Sequence, residues 1–155
     1  MEGCVGSGLG RAHVFMSQSH YQEQFKELLG TTAWPGTLNV TVSGEELTQY
    51  VALRKLAGVE TSGHYDESVL KGASEIDLQN FSCHRIRGFL RDGISFGGAT
   101  AFHAIISNAV EKVDCAVLIP DLTRHTDVVE VISGMFLREG LNLSDGDHAT
   151  IEIIS

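Results

Sequence analysis

Two oxygen-bearing side chains lie two residues apart in the segment Gly36-Thr37-Leu38-Asn39. Residues two apart on a β-strand project to the same side of the sheet. The Thr37 hydroxyl and the Asn39 amide oxygen are neutral donors that suit Mg²⁺, an ion that keeps several waters and takes other ligands from substrate phosphates. The pattern predicts either a magnesium site or, more simply, polar residues on the solvent-facing side of a strand.

A second feature that could bind an anion is the glycine-rich stretch Gly6-Ser7-Gly8-Leu9-Gly10. It is not a dinucleotide motif, because Arg11 stands where Gly-x-Gly-x-x-Gly needs its third glycine, and no Gly-Lys-Ser/Thr follows. Small residues still let backbone N–H groups approach a phosphate closely. The stretch therefore predicts either a phosphate-binding loop or a turn without a ligand.

A third group of reactive side chains lies nearer the C-terminus, where Thr123-Arg124-His125-Thr126 and Glu130 precede Gly134-Met135-Phe136-Leu137-Arg138. Polar and basic groups here surround apolar strand residues, as they do at the rim of a ligand site. The simpler interpretation makes His125 a surface residue, Glu130 a solvated strand residue and Arg138 the start of a polar helix face.

The seven histidines and three cysteines show no metal-ligand spacing such as His-x-x-x-His or Cys-x-x-Cys. Cys4, Cys83 and Cys115 are an odd number, so a disulfide framework is not indicated. The sequence also lacks the basic and apolar segments of a signal peptide and any long apolar run. We therefore expect a reduced, cytoplasmic protein.

Composition predicts one globular domain and limits its partners. The 155 residues are 43% hydrophobic and 20% charged, which is ordinary for a single domain with one core. Eleven basic against 20 acidic residues give a formal charge of -9, which argues against a nucleic-acid surface. A polyanionic substrate would have to be bound locally, by backbone N–H groups, a metal ion and a few arginines.

The elements that must position these groups are mainly short strands. Polar and apolar residues alternate from Thr37 to Val42, which predicts a strand with Leu38, Val40 and Val42 facing the core. Further strands are predicted at Arg11–Met16, Cys83–Leu90, Thr100–Ser107, Val113–Ile119, Val128–Ile132 and Ala149–Ile154. Short strands separated by turns favour a closed antiparallel β-barrel in a mainly β protein.

One or two short helices are expected at the periphery of the barrel. Ser19 and Gln22 form a capping-box pattern before a periodic apolar stretch, and Gly30 suits a left-handed C-cap. A second helix is predicted to begin after Ser43 and to run towards Gly58. The polar, glycine-containing segment 58–80 is expected to be a long excursion from the barrel.

In their order and spacing, these motifs resemble the archaeal CTP-dependent riboflavin kinases. The matching motifs include Gly3-Cys4-Val5, Ser7-Gly8-Leu9-Gly10, Pro35-Gly36-Thr37-Leu38-Asn39, Ala116-Val117-Leu118-Ile119-Pro120 and Asp145-Gly146-Asp147. The resemblance covers both ends of the chain, roughly residues 3–42 and 113–153. It implies a six-stranded barrel of the cradle-loop type that converts riboflavin and CTP into FMN and CDP.

The resemblance also implies roles for individual residues. Those expected to line the nucleotide are Gly8, Leu9, Gly10, Arg11, Ala12, His13, Met135, Phe136, Leu137 and Arg138. Thr37 and Asn39 would bind Mg²⁺. Thr123 and Glu130 would contact the flavin, and Glu130 is the candidate base for the riboflavin hydroxyl. Similar proteins often carry an N-terminal helix-turn-helix domain, whereas here we expect residues 1–155 to form a single kinase domain.

Two alternatives to a kinase remain at this point. A non-catalytic barrel that senses a flavin or a nucleotide could bind its ligand without metal, whereas turnover would need the ion. A purely structural or protein-interaction domain would leave the pairing of Gly-Thr-Leu-Asn with the C-terminal motifs unexplained. Neither nucleic acid nor a membrane is an expected partner.

Overall fold

The computed structural model describes residues 1–8, 12–79 and 81–154. Its strands are β1 (Glu2–Gly6), β2 (Leu38–Thr41), β3 (Cys83–Ile86), β4 (Phe89–Arg91), β5 (Ile94–Phe96), β6 (Ala99–Ser107), β7 (Lys112–Pro120), β8 (Val128–Ile132) and β9 (His148–Ile153). Its helices are α1 (Ala12–Met16), α2 (Ser19–Leu29), α3 (Gly44–Leu56), α4 (Glu67–Ser74) and α5 (Leu137–Gly140).

Six of the strands close into an antiparallel barrel. They pair in the order β6, β7, β8, β2, β1 and β9, and β9 pairs again with β6 to complete the ring. Strand β3 pairs with the first half of β6, while β4 and β5 form a separate hairpin. The predicted six-stranded barrel in a mainly β chain is therefore confirmed, and closure pairs each of the six strands on both sides.

Side-chain alternation produces two apolar layers, one inside the barrel and one outside it. The predicted core residues Leu38, Val40 and Val42 are all buried in the interior layer. The next residue along a strand faces outward: Val131 lies in the interior, while Ile132 belongs to the outer apolar layer that also contains Phe25 of α2. Helix α2 is thus held on the outer face of the sheet by its own apolar side.

Helix α2 has the predicted C-terminus but a different N-terminus. Gly30 adopts φ 77°, and its N–H donates to the Lys26 carbonyl as expected for a left-handed cap. The capping-box prediction is wrong, because Gln18 is the N-cap residue and no side chain caps the helix. The amide of Gln22 instead bonds the backbone of Met16 and Ala33, which connects the first turn of α2 to the end of α1 and to the segment after α2.

The strand predicted at Arg11–Met16 is also wrong. Residues 12–16 form helix α1, and Arg11 lies outside the described residues. Val14 and Phe15 are exposed and only Met16 is buried, so the apolar run that suggested a strand does not enter the sheet. Met16 and Ala12 belong to the outer apolar layer together with residues of α2.

The described residues contain five helices rather than the one or two expected, and one of the additional helices, α4, lies in the segment 58–80. Val69, Leu70 and Ala73 of α4 pack against Val51 and Ala52 of α3. A helix this short is stabilised mainly by such packing, and local composition does not reveal it. Within the described ranges, none of the helices combines the length and hydropathy that a transmembrane helix needs.

The β4–β5 hairpin replaces the end of the strand predicted at Cys83–Leu90. Asp92 and Gly93 have φ 52° and 78°, the positive values that a two-residue hairpin turn requires. The rings of Phe89 and Phe96 stack at 4.6 Å. The Tyr21 hydroxyl of α2 donates to the Gly97 carbonyl, so the hairpin is fixed to the helix layer and forms a wall beside the barrel.

Candidate active site

Strand register brings Gly6, Asn39 and Glu130 into one row across the barrel. Gly6 on β1 pairs with Asn39 on β2, and Asn39 pairs with Glu130 on β8. Leu118 on β7 lies opposite Glu130 and extends the row. Because the residues beside Asn39 and Glu130 fill the interior, this row lies on the outer face, on the same side as α2.

The Thr37 and Asn39 side chains project to the same side, as their spacing predicts. The Thr37 hydroxyl donates to Oδ1 of Asn39 at 2.9 Å, so the two oxygens are adjacent. Asn39 is only 7% exposed, which is not the environment of a solvent-facing strand residue. Gly8 passes over it so closely that a Cβ at position 8 would collide with the Asn39 amide nitrogen, so a larger residue there would have to displace the Asn39 side chain.

Glu130 is partly buried between polar and apolar groups, rather than fully solvated as an alternating strand suggests. Burial raises the pKa of its carboxyl from 4.5 to about 7. Desolvation disfavours the charged form of a carboxyl, and no compensating cation is among the causes of this shift. Glu130 is therefore poised to exchange a proton near neutral pH.

A polar cavity of about 480 Å³ lies on one side of Glu130. It is lined by small residues, histidines and an arginine: Gly6, Ser7, Gly8, Ala12, His13, Gly36, Thr37, Asn39, His125, Glu130 and Arg138. The structure thus brings together residues from the first loop, β2, β8 and α5. Leu9, Gly10 and Arg11, predicted to lie beside the nucleotide, are outside the described residues.

An apolar cavity of about 550 Å³ lies on the other side of Glu130. Aromatic and aliphatic groups form most of its surface, including Phe15, Tyr21, Phe25, Leu118 and Leu122, with Arg124 also in the lining. Ala12, Thr37 and Glu130 line both cavities, so the two meet at these residues. A planar aromatic ring and a polyanion could therefore bind side by side.

Arg138 is fixed at the edge of the polar cavity by two contacts. Its Nη2 donates to the Gly6 carbonyl at 3.1 Å and pairs with Asp145 at 2.7 Å. The Ser7 hydroxyl donates to the other Asp145 oxygen at 2.6 Å. The Ser7 hydrogen bond, followed by Arg138, lowers the pKa of Asp145. The sequence did not predict a site role for Asp145, although this residue begins the motif Asp145-Gly146-Asp147.

A stacked pair of exposed aromatic rings adjoins the polar cavity. The rings of Trp34 and Phe136 are 4.9 Å apart and inclined by 21°. They are 46% and 40% exposed and line a small groove with Gly36 and Arg138. Trp34 was missed by sequence reasoning, although an aromatic residue directly before Pro35-Gly36 was an available signal.

The remaining described residues that were predicted to contact a substrate do not line the polar or the apolar cavity. Met135 and Leu137 line the groove beside Trp34, but the Leu137 side chain is buried in the barrel core. The Thr123 hydroxyl accepts a hydrogen bond from the His125 N–H at 3.2 Å, within its own loop. From that loop, Leu122 and Arg124 line the apolar cavity with Glu130.

No group of three or more histidine, cysteine, aspartate or glutamate side chains is arranged to hold a metal ion in the part of the chain that the structure describes. The Thr37–Asn39 pair is a different kind of candidate, because its two oxygens are neutral. Its role as a magnesium ligand, like the other residue roles, stays a prediction.

Known proteins are similar to this sequence over almost its whole length. A family model called CTP-dep_RFKase, described as a domain of unknown function (DUF120), matches residues 5–76 and 70–153. The chain is 34% identical over 151 residues to a Thermoplasma acidophilum protein named riboflavin kinase, covering 97% of this chain and 56% of that protein. It is 35% identical over 154 residues to a Methanoculleus marisnigri protein of the same name, covering 99% and 56%.

The chain therefore spans a little over half the length of these relatives. The matched segments include the middle of the chain, which the motif comparison did not cover. The family model matches most of the chain, and the six-stranded barrel is the fold that the resemblance implied. This chain belongs to the family of archaeal CTP-dependent riboflavin kinases.

Proposed function

We propose that this protein is a riboflavin kinase that transfers the γ-phosphoryl group of CTP to the 5′-hydroxyl of riboflavin, giving FMN and CDP. The observation that carries the proposal is the junction of a polar and an apolar cavity at Glu130. The reaction joins a polyphosphate to an alcohol attached to a planar ring. Such a pair of substrates needs adjoining surfaces of these two kinds, aligned where the reacting atoms meet.

The polar cavity suits the triphosphate of the nucleotide. Its glycine-rich wall allows close approach to backbone N–H groups, and Arg138 can add positive charge. These contacts are local, as the overall charge of -9 requires. The exposed Trp34–Phe136 pair beside this cavity offers a surface on which the cytosine ring can stack.

The Thr37 hydroxyl and the Asn39 amide oxygen would hold a Mg²⁺ ion. Both are neutral oxygens in the lining of the polar cavity, and their 2.9 Å separation allows them to contact one ion. When bound, the ion would neutralise charge on the phosphates. Asn39 is oriented for this role by Thr37, and Gly8 covers its amide group.

The apolar cavity suits the isoalloxazine ring of riboflavin. Tyr21, Phe25 and Leu118 supply the extended apolar surface that such a ring buries. Arg124 can reach a polar edge of the ring, and Thr123 in the same loop is a further proposed contact. This arrangement directs the ribityl chain towards Glu130, where the cavities meet.

Glu130 would act as the general base. Its ionised carboxyl takes the proton of the 5′-hydroxyl, whose oxygen forms a bond to the γ-phosphorus while the bond to the β,γ-bridging oxygen breaks and CDP leaves. A base with a pKa of about 7 combines a useful ionised fraction with adequate basicity at neutral pH.

The function is tested by incubating the protein with riboflavin, Mg²⁺ and one nucleoside triphosphate at a time, and measuring FMN by chromatography. We expect FMN with CTP and much slower formation with ATP. Equal rates with ATP would reject CTP as the preferred donor and leave a kinase. Tight riboflavin binding without FMN from any triphosphate would favour the flavin sensor.

The metal site is tested with the pair Thr37→Val and Thr37→Ser. Valine keeps the shape of threonine but removes its oxygen, so turnover should fall about 100-fold at limiting Mg²⁺, the usual cost of losing one well-placed electrostatic contact. Raising Mg²⁺ should recover part of the loss. Serine keeps the oxygen and should remain close to wild type across the same titration. Equal turnover of the two variants would contradict the assignment.

The variant Glu130→Gln should lose turnover yet gain stability at alkaline pH. Removing a general base typically costs 10²- to 10⁴-fold in rate, so we expect a loss of about that size in kcat. Glu130 has a higher pKa in the folded protein than in the unfolded chain, so the folded protein binds its proton more tightly. The resulting contribution to the free energy of unfolding is complete below pH 4.5 and is lost as pH rises through about 7.

Glutamine cannot ionise, so the free energy of unfolding of the variant does not fall with the ionisation of residue 130. By denaturant unfolding at pH 8, we expect it to be more stable than wild type by up to about 3 kcal/mol, with a smaller difference at pH 5. A variant with wild-type kcat would exclude the catalytic role. A variant less stable than wild type at pH 8 would show that Glu130 is not a desolvated carboxyl.

A further inference from the structure

Arg54 of α3 is a buried arginine whose partners are backbone carbonyls. It is 2% exposed, and its guanidinium donates to the carbonyls of His125 and Glu60, the latter at 3.2 Å. The rings of Tyr50 and Tyr65 lie 5.9 and 5.8 Å from the guanidinium carbon. Its Nε is buried and has no hydrogen-bond partner among the described residues.

Barrel stability alone does not explain an arginine at this position. Burying a guanidinium is costly, and the described part of the chain shows no ion pair that compensates Arg54. An apolar side chain of similar volume often replaces a buried charge without loss of stability. What the arginine adds is a planar donor group that binds the His125 carbonyl in the loop 121–127 with one nitrogen and the Glu60 carbonyl with another.

A second side chain, Tyr65, binds the same loop and lies beside Arg54. The Tyr65 hydroxyl donates to the Thr126 carbonyl at 2.6 Å, one residue beyond the carbonyl that Arg54 binds. Consecutive carbonyls of the loop are thus bound by side chains from two different segments, which restrains the loop far more than either bond alone.

The restrained loop borders both cavities of the candidate site. His125 lines the polar cavity, while Leu122 and Arg124 line the apolar one. We infer that Arg54 and Tyr65 are positioning residues, which hold the loop 121–127 so that these side chains face the substrates. They act through backbone carbonyls, without contact to a ligand. The kinetic consequence rests on the proposed function, whereas the effect on the loop does not.

The variant Tyr65→Phe is the cleanest probe, because it removes one hydroxyl and keeps the ring beside Arg54. Loss of one such hydrogen bond corresponds to about a 3- to 10-fold change in an equilibrium constant. We expect KM for riboflavin to rise by about that factor and KM for CTP to rise less, because two of the three lining residues border the apolar cavity. kcat should change less than the KM for riboflavin.

Coupling to the loop is tested with Arg124→Ala. If Tyr65 acts by positioning Arg124, the effect of Tyr65→Phe on riboflavin binding should shrink in the Arg124→Ala background, because contacting groups in one network are not additive. Fully additive effects, measured by quenching of flavin fluorescence, would overturn the inference that Arg124 mediates the effect.

Hydrogen–deuterium exchange tests the restraint itself, without any substrate. In Tyr65→Phe, the amides of residues 121–127 should exchange faster than in wild type, while those of α2 stay unchanged. Arg54→Lys should increase the exchange rate of these amides to an intermediate extent, and Arg54→Met should increase it more. If Arg54→Met fails to fold, the result with Tyr65→Phe still tests the restraint of the loop. Unchanged exchange in the loop overturns the inference. Faster exchange in a protein that makes no FMN would support the inference that Tyr65 restrains the loop and would contradict only the proposed function.

Discussion

The pairing register of β1, β2 and β8 is the constraint on which the site depends. It aligns Gly6, Asn39 and Glu130 on the outer face of the barrel. A slip of β2 by one residue would turn Asn39 into the interior and expose Val40. Burying a valine contributes about 1.5 to 3 kcal/mol, so the apolar interior strongly opposes such a slip. The core of the barrel thereby holds the row of polar groups in place.

The outer apolar layer has a chemical role as well as a structural one. Helix α2 packs on the sheet through Tyr21, Phe25 and Leu28, and Leu118 lies directly opposite Glu130. This layer withdraws the carboxyl from water and raises its pKa to about 7. The same packing that secures the helix thus tunes the group proposed to accept the proton, at a cost in stability when that group ionises.

The parts that were predictable from sequence are those governed by local periodicity. Alternation located the interior face of β2, and spacing placed the Thr37 and Asn39 oxygens side by side. Long-range contacts were not predictable: Arg54 and His125 are 71 residues apart in sequence, and Ser7 and Asp145 are 138 apart. No local sequence pattern indicates which distant residues form such pairs. Helix α4 likewise depends on its contact with α3 rather than on its own composition.

The proposed protonation of Glu130 up to neutral pH, at the junction of the two cavities, can be measured directly. A ¹³C NMR titration of protein labelled at the glutamate side-chain carboxyl follows this group, with the Glu130 signal assigned from its absence in Glu130→Gln. We expect a titration midpoint near pH 7 for this signal. A midpoint near 4.5, the ordinary value for glutamate, would show that the carboxyl is not desolvated.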